Sequence, residues 1–410
     1  GYGIVSPDLK RDDYANLDVK GKIVVVVRGR PQSIDEETWA KSAGQRAIFT
    51  NAVGRGAAGL VFTNVGSKEQ PFTTVADYLS RRNVALSDAP EPPFKVPPII
   101  LLSDAGAEKL FADSGQTFAE TLAKAQTGEF VSRDLNKTGT IAIRLKREES
   151  TGSNVVGVLE GSDSQLKSEA VLYSAHYDAY GITADGRIYP GAADNALGVA
   201  EILAIAEAFT KARPRPKRSI IFLAVTGEEY GLYGSEYWAE HPTWPLDKVI
   251  ANLNYDGIGT EVYGPVKNIV GFGAEYSDLG PRLESVAAAL GAKIVPDPLP
   301  EEKVFYRSDH YSFVKKGVPA LMLLGGPEGD AQTWIGRAQK WMEVDYHQTT
   351  DTIKPDWNWD GARTVANIGL VLGMRLAADR QVPAWLPSAP FKRPPPATTT
   401  GGGAAAQPAP

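Results

Sequence analysis

The chain has 410 residues, with 43 Lys and Arg against 49 Asp and Glu, a net charge of −6 and no cysteine. Its 43% hydrophobic and 22% charged residues are the mix of a globular protein, long enough for several domains and too apolar to be disordered. Mild acidity gives no reason to expect a nucleic acid or an anionic membrane as partner, no apolar run reaches the ~20 residues of a membrane span, and the lack of cysteine excludes disulfides, thiolate-bound zinc and a thiol nucleophile.

The chain opens on Gly1 rather than Met, which suggests a processed or truncated product. Short Val/Ile runs at Lys22–Val27, Gly59–Asn64 and Val96–Leu102 read as strands. Between the first two, Trp39, Ala43, Ala47 and Ile48 give Thr38–Asn51 a weak helical period. Residues 1–139 therefore read as a small α/β accessory domain with no cluster of chemistry-bearing side chains. From about residue 140 the texture changes. Strand-like runs at Val155–Leu159, Ala170–Ala175, Ser219–Val225, Val249–Leu253, Asn268–Phe272 and Ala320–Leu324 alternate with helical patterns. The helices are Asn195–Ala212, apolar nearly all round and expected to be largely buried, amphipathic Leu279–Leu290, and Gly361–Asp379. This alternation predicts an α/β domain over 140–385 with a mostly parallel central sheet flanked by helices. Residues 386–410 are rich in Pro, Gly, Ala and Thr, with almost no large apolar side chain after Phe391, and read as a flexible tail.

The candidate chemistry lies where these strands end. His176 follows VLYSA, Glu228 and Glu229 follow IIFLAVTG, Asp256 follows VIANLNY, and Asp194 opens the apolar helix. In open α/β sheets, sites form outside the carboxyl ends of strands. Histidine and carboxylate donors without thiolates suit zinc or a similar divalent ion, and ligands spread along the chain suit a catalytic rather than a structural centre. With His347 the donors number five, more than one tetrahedral ion needs if a water position stays open. Two ions sharing Asp194, about 3.5–4 Å apart, fit better. On an irregular turn Glu228 and Glu229 point in different directions, so one can bind metal while the other acts as general base.

The segments SAHYDAYG, GAADNALGVAEIL, RSIIFLAVTGEEYGLYGSEYWAEHP, NLNYDGIG, FYRSDHYSFVKKGVPAL and DYHQTTDT together resemble the successive motifs of the M28 metallopeptidases of the aminopeptidase Y/S type. The likeness covers about Asn154–Ala378. GYGIVSP, DYANLDVKGKIVVVVRG and VPPIILLS resemble the protease-associated domain that many of these enzymes carry. The resemblance implies two zinc ions per chain, one on His176 and Asp256, the other on Glu229 and His347, with Asp194 as the bridge. It implies Glu228 as general base, Asp178 as the support of the His176 imidazole, Tyr346 as a hydrogen-bond donor to the oxyanion and Arg307 as a substrate contact. The activity implied is removal of N-terminal residues from peptides by a secreted or periplasmic enzyme. A carboxypeptidase, a single-zinc glutaminyl cyclase and a non-catalytic binding protein are the alternatives on the same scaffold. Gly227 stands where many relatives have Ala, and Ala179 and Tyr180 stand where many carry a second His, departures that touch pocket shape and remove no ligand.

Overall fold

The computed structural model describes residues 1–67, 71–88, 96–129, 132–183, 185–257, 259–326 and 331–394. The chain forms two compact units, 1–81 with 87–149 and 82–86 with 150–410. The boundary expected at 139/140 precedes this division, because residues 140–149 group with the first unit.

In the first unit, β1 (Val5–Ser6) and β2 (Arg11–Asp12) form a short antiparallel pair, and β3 (Ile23–Val27), β4 (Gly59–Thr63) and β5 (Ile99–Leu101) form a parallel sheet in that order. Its helices are α1 (Glu36–Ala43), α2 (Gln45–Gly54), α3 (Phe72–Ser80), α4 (Asp104–Phe111) and α5 (Phe118–Thr127). Side chains alternate across β3, so Val25 and Val27 pack with Phe111 and Phe118 while Val24 packs with Ala52 and Phe62. The single helix expected over 38–51 is two helices, broken where Gly44 takes extended dihedrals (φ −57°, ψ 149°). The strand expected from Val96 shrinks to three residues. Pro97 and Pro98 have no N–H for a ladder.

The second unit runs β6 (Val155–Leu159), β7 (Ala170–His176), β8 (Gly181–Ile182), β9 (Ile188–Tyr189), α6 (Leu197–Lys211), β10 (Ser219–Val225), α7 (Tyr233–Glu240), β11 (Val249–Asn254), β12 (Asn268–Phe272), α8 (Leu279–Ala289), β13 (Lys293–Val295), α9 (His310–Lys315), β14 (Ala320–Gly325), α10 (Ala331–Val344) and α11 (Asp360–Ala378). Seven strands form one sheet in the order β13-β12-β14-β11-β7-β10-β6. The central four, β14, β11, β7 and β10, are parallel, whereas β6 pairs antiparallel at the edge and β12 pairs antiparallel with β14. One face packs Tyr173, Ile220 and Leu253 against α6, α8 and α11, and the other packs Leu172, Leu223 and Val249 against Trp238 of α7 and Phe313 of α9. Burial on both faces is why these strands read as continuous apolar runs, and β7 is buried at every residue.

Helix α6 departs from expectation in two ways. It starts at Leu197, because Ala192–Ala196 forms a wider turn in which Asp194 takes φ −117° and ψ 87°. It also buries one face only: Leu197, Ile202, Ile205 and Phe209 are covered while Leu203 is 63% exposed. Helix α11 approaches the sheet closely through Gly369 and Gly373. The Tyr173 hydroxyl donates to the Gly369 carbonyl at 2.8 Å, and a Cβ added at Gly373 would lie 1.8 Å from that hydroxyl oxygen. Of the expected tail, residues 386–394 are seated on the second unit. Phe391 packs with Tyr276, Phe305 and Trp385, and Arg393 donates to the carbonyls of Asp247 and Val249 at 3.0 Å each. Residues 395–410 lie outside the described residues. No described helix is long and apolar enough to cross a membrane.

Candidate metal centre

Parallel neighbours bring their carboxyl ends to the same edge. Val225 of β10 stands opposite His176 of β7, and Asn254 of β11 stands opposite Ser174. His176 ends β7, Asp256 lies two residues beyond β11, and Glu228 and Glu229 lie in the turn after β10. That turn needs Gly227, whose φ of +73° is a left-handed conformation. Asp194 enters from the turn before α6 and His347 from the loop between α10 and α11.

These side chains converge as two triads that share one residue. His176, Asp194 and Asp256 form the first and Asp194, Glu229 and His347 the second, with the ligand atoms of each triad within 4.8 Å of one another. The two oxygens of Asp194 divide between them: Oδ1 lies 3.2 Å from His176 Nε2 and Oδ2 lies 3.3 Å from His347 Nε2. Asp256 Oδ1 is 3.3 Å from His176 Nε2, and Glu229 Oε2 is 3.0 Å from His347 Nε2. The Glu228 carboxylate stands beside the first triad, 4.0 Å from His176 Nε2.

Neighbouring groups hold the cluster in place. The backbone carbonyl of Asp178 accepts from His176 Nδ1 at 3.1 Å, whereas its carboxylate is 3.7 Å from that nitrogen. The Asp178 carboxylate instead accepts the N–H groups of Glu228 and Glu229 at 3.2 and 3.4 Å. Expected as the support of one imidazole, Asp178 thus also fixes the glutamate turn. Asp351, which sequence reasoning did not single out, accepts the N–H groups of Ala193 and Asp194 at 2.9 and 3.1 Å. Beneath the first triad runs a buried polar chain. Asn252 Nδ2 donates to Ser174 Oγ (2.9 Å), Ser174 Oγ to Asn254 Oδ1 (2.6 Å), and Asn254 Nδ2 to Ser308 Oγ (2.8 Å). It links β7, which ends in His176, and β11, which ends two residues before Asp256, to the segment before α9. Three polar residues inside two buried strands are its trace in the sequence.

Burial pushes the carboxyls of Glu228, Glu229, Asp178 and Asp351 upward, and Asp309, fully buried behind Glu228, up to about 7. Burial acts the same way on Asp194, but the hydrogen bonds and charges of His176 and His347 outweigh it and hold that carboxyl well below its ordinary range. The imidazoles respond in kind. Burial lowers both, yet the acids around them outweigh it, raising His176 well above its usual value and His347 to about 9. Two buried imidazoles whose proton affinity is raised by the acids around them mark a pocket with an excess of negative charge. Among the described residues, the ion pairs of Asp194, Glu229 and Asp256 are to the two imidazoles. Nitrogen and carboxylate donors, an acid excess and one carboxylate turned both ways fit divalent cations.

Tyr346 and Arg307 lie at the rim. The Tyr346 ring stacks on His347 with centroids 3.6 Å apart, and burial pushes its phenol upward, so it stays protonated. Arg307 is exposed, donates to Glu302 Oε2 at 3.0 Å and reaches the Tyr346 hydroxyl at 3.5 Å.

The model of Peptidase family M28 matches residues 154–372. Among curated relatives, a probable leucine aminopeptidase 2 of Aspergillus oryzae is 29% identical over 236 residues, 53% of this chain and 44% of that protein. A vacuolar membrane protease of Clavispora lusitaniae is 30% identical over 175 residues, 42% of this chain and 15% of that protein. The chain therefore spans less than half the length of these relatives. Among solved structures, an aminopeptidase from Aneurinibacillus is similar in fold at TM-score 0.52 and 17% identity, over 90% of this chain and 72% of that one. A zinc aminopeptidase from Bacillus subtilis is similar at TM-score 0.50 and 17% identity, over 89% and 72%.

Proposed function

The chain belongs to peptidase family M28, and from that membership we propose that it is a di-zinc aminopeptidase, removing N-terminal residues from peptides. The observation that carries this reading is the two-sided Asp194, flanked on one oxygen by His176 and on the other by His347. His176 and Asp256 would hold one ion, Glu229 and His347 the other, and Asp194 both. Zinc supplies Lewis-acid polarisation of the scissile carbonyl and brings the pKa of a water towards ~7.

The protein's own groups would supply the rest. Glu228 is largely covered beside the first triad, its carboxyl raised by desolvation and by the charges of Asp256, Asp309 and Asp194. It is suited to take a proton from water and return it to the leaving amine. The Asp178 clamp on the Glu228 and Glu229 N–H groups keeps the base from turning away. The protonated Tyr346 phenol would donate to the oxyanion, while Arg307 next to its hydroxyl would meet substrate at the rim. A curated relative named as a probable leucine aminopeptidase supports an aminopeptidase over a carboxypeptidase. The reading of the first unit as a protease-associated domain rests on the resemblance of its motifs. A secreted or periplasmic place of action goes with this reading and rests on the resemblance alone.

Aminoacyl-anilides with free and blocked amines, assayed with chelator and with zinc add-back, test the reading. Hydrolysis of free-amine substrates only, lost with chelator and restored by zinc, is expected. Glu228→Gln should lose roughly 10²–10⁴ in kcat with two zinc ions still bound. Near-normal turnover in that variant would remove Glu228 as base, and cleavage of blocked substrates alone would overturn the aminopeptidase assignment.

A further inference from the structure

The two imidazoles of the centre are supported in different ways. His176 faces the Asp178 backbone carbonyl with its Nδ1, at 3.1 Å. His347 faces a side chain, the Tyr180 hydroxyl, 3.4 Å from its Nδ1. The rings meet edge to face with centroids 4.8 Å apart. Tyr180 does not hold this position by itself. It directly precedes β8, whose antiparallel partner β9 ends in Tyr189, and the Tyr180 ring packs edge-on against Tyr189 (6.3 Å) and Tyr230 (5.8 Å). Tyr189 is buried and receives a hydrogen bond on its hydroxyl from Arg187 at 3.1 Å. A small hairpin and an aromatic cluster thus deliver one phenol to the outer nitrogen of His347.

The chemistry of that nitrogen gives the contact its meaning. An imidazole that offers Nε2 to a metal carries its proton on Nδ1 and needs an acceptor there. His347 directs Nε2 at Glu229 and Asp194, which leaves Nδ1 for Tyr180. The need is sharper at this residue than at His176. His347 sits in a loop with φ +57° and its side chain is 21% exposed, against 1% for His176, so strand packing does not set its ring angle.

We propose that Tyr180 is the positioning residue of the second metal triad: its hydroxyl accepts the His347 Nδ1 proton, fixing the tautomer and ring plane that present Nε2 to the ion. This rests on the two-ion reading above.

The test is zinc binding rather than turnover. Apoprotein of the wild type and of Tyr180→Phe is titrated with zinc against a chromophoric chelator, with the thermal midpoint of each apoprotein measured in parallel. Phenylalanine keeps the ring contacts and deletes only the hydroxyl. The expected result is two equivalents in both proteins, one of them weakened roughly 10- to 100-fold in the variant, and an unchanged apoprotein midpoint. Two equivalents bound as tightly as in the wild type would overturn the proposal. So would equal weakening of both, which is general loosening of the pocket. A wild type that holds fewer than two zinc ions would overturn the two-ion reading itself and this inference with it, and is recognised without the variant.

Discussion

Glu261 offers a quantitative handle on the domain that carries the centre. It is 1% exposed, its Oε1 accepts the Gly325 N–H at 2.8 Å, and its other oxygen has no partner among the described residues. Burial pushes its carboxyl from an ordinary 4.5 up to about 7, against the pull of the Gly325 hydrogen bond and helped by the charge of Asp256. Glu201, 5% exposed, is pushed up further by burial and by Glu261. An acid with a raised pKa in the folded state binds a proton more tightly there than in the unfolded chain. Its stabilising proton is fully present below about 4.5, and stability falls as pH rises to about 7 and then levels off, a loss of about 3 kcal/mol from Glu261. Glu261→Gln keeps the acceptor for the Gly325 N–H and removes the titration. Urea unfolding of both proteins at pH 5 and pH 8 reads the difference, which includes the relief of Glu201 from the Glu261 charge. The wild type should lose about 2–3 kcal/mol more than the variant over that interval. Equal losses would show that this buried carboxyl does not control the alkaline limb, and the reasoning from its burial would fail.

Asp351→Ala frees the N–H groups of Ala193 and Asp194, and should weaken zinc binding roughly 10- to 100-fold by chelator competition while leaving every ligand in place. Asn254→Ala leaves the Ser174 and Ser308 hydroxyls without their shared partner, and a loss of about 2–4 kcal/mol in urea unfolding is expected. A change below about 0.5 kcal/mol would mean that the buried chain beneath the first triad contributes nothing. Gly373→Ala sets two effects against each other. Helix propensity favours alanine by about 1 kcal/mol, but the new Cβ would meet the Tyr173 hydroxyl at 1.8 Å, so the variant should be destabilised despite its better helix former.

Strands in the second unit were legible because burial on both faces leaves continuous apolar runs, and Ser219–Val225 and Asn268–Phe272 have the expected limits. The antiparallel direction of β6 and β12 left no trace, since direction is set by connections and not by local pattern. The start of α6 was placed too early because Asp194 and Asn195 resemble a helix opening in sequence, whereas their dihedrals belong to a turn that aims a carboxylate. Its exposed Leu203 shows why an apolar circumference is a poor guide to burial. At the centre, His176, Asp256 and the glutamate pair could be located from the strand ends they follow, which a parallel sheet gathers at one edge. Asp351 and Tyr180 could not be located in that way. Each acts through a neighbour distant in sequence, and a lone acid or phenol in a loop carries no local signature.

Asp178 gives its backbone carbonyl to His176 and its carboxylate to the amides of Glu228 and Glu229. The proposed proton acceptor and a proposed ligand from each half of the centre are therefore anchored to a single residue. Redesign of this pocket for other substrates would have little freedom to shift Glu228 independently of the cations, and a change at 178 would disturb both at once.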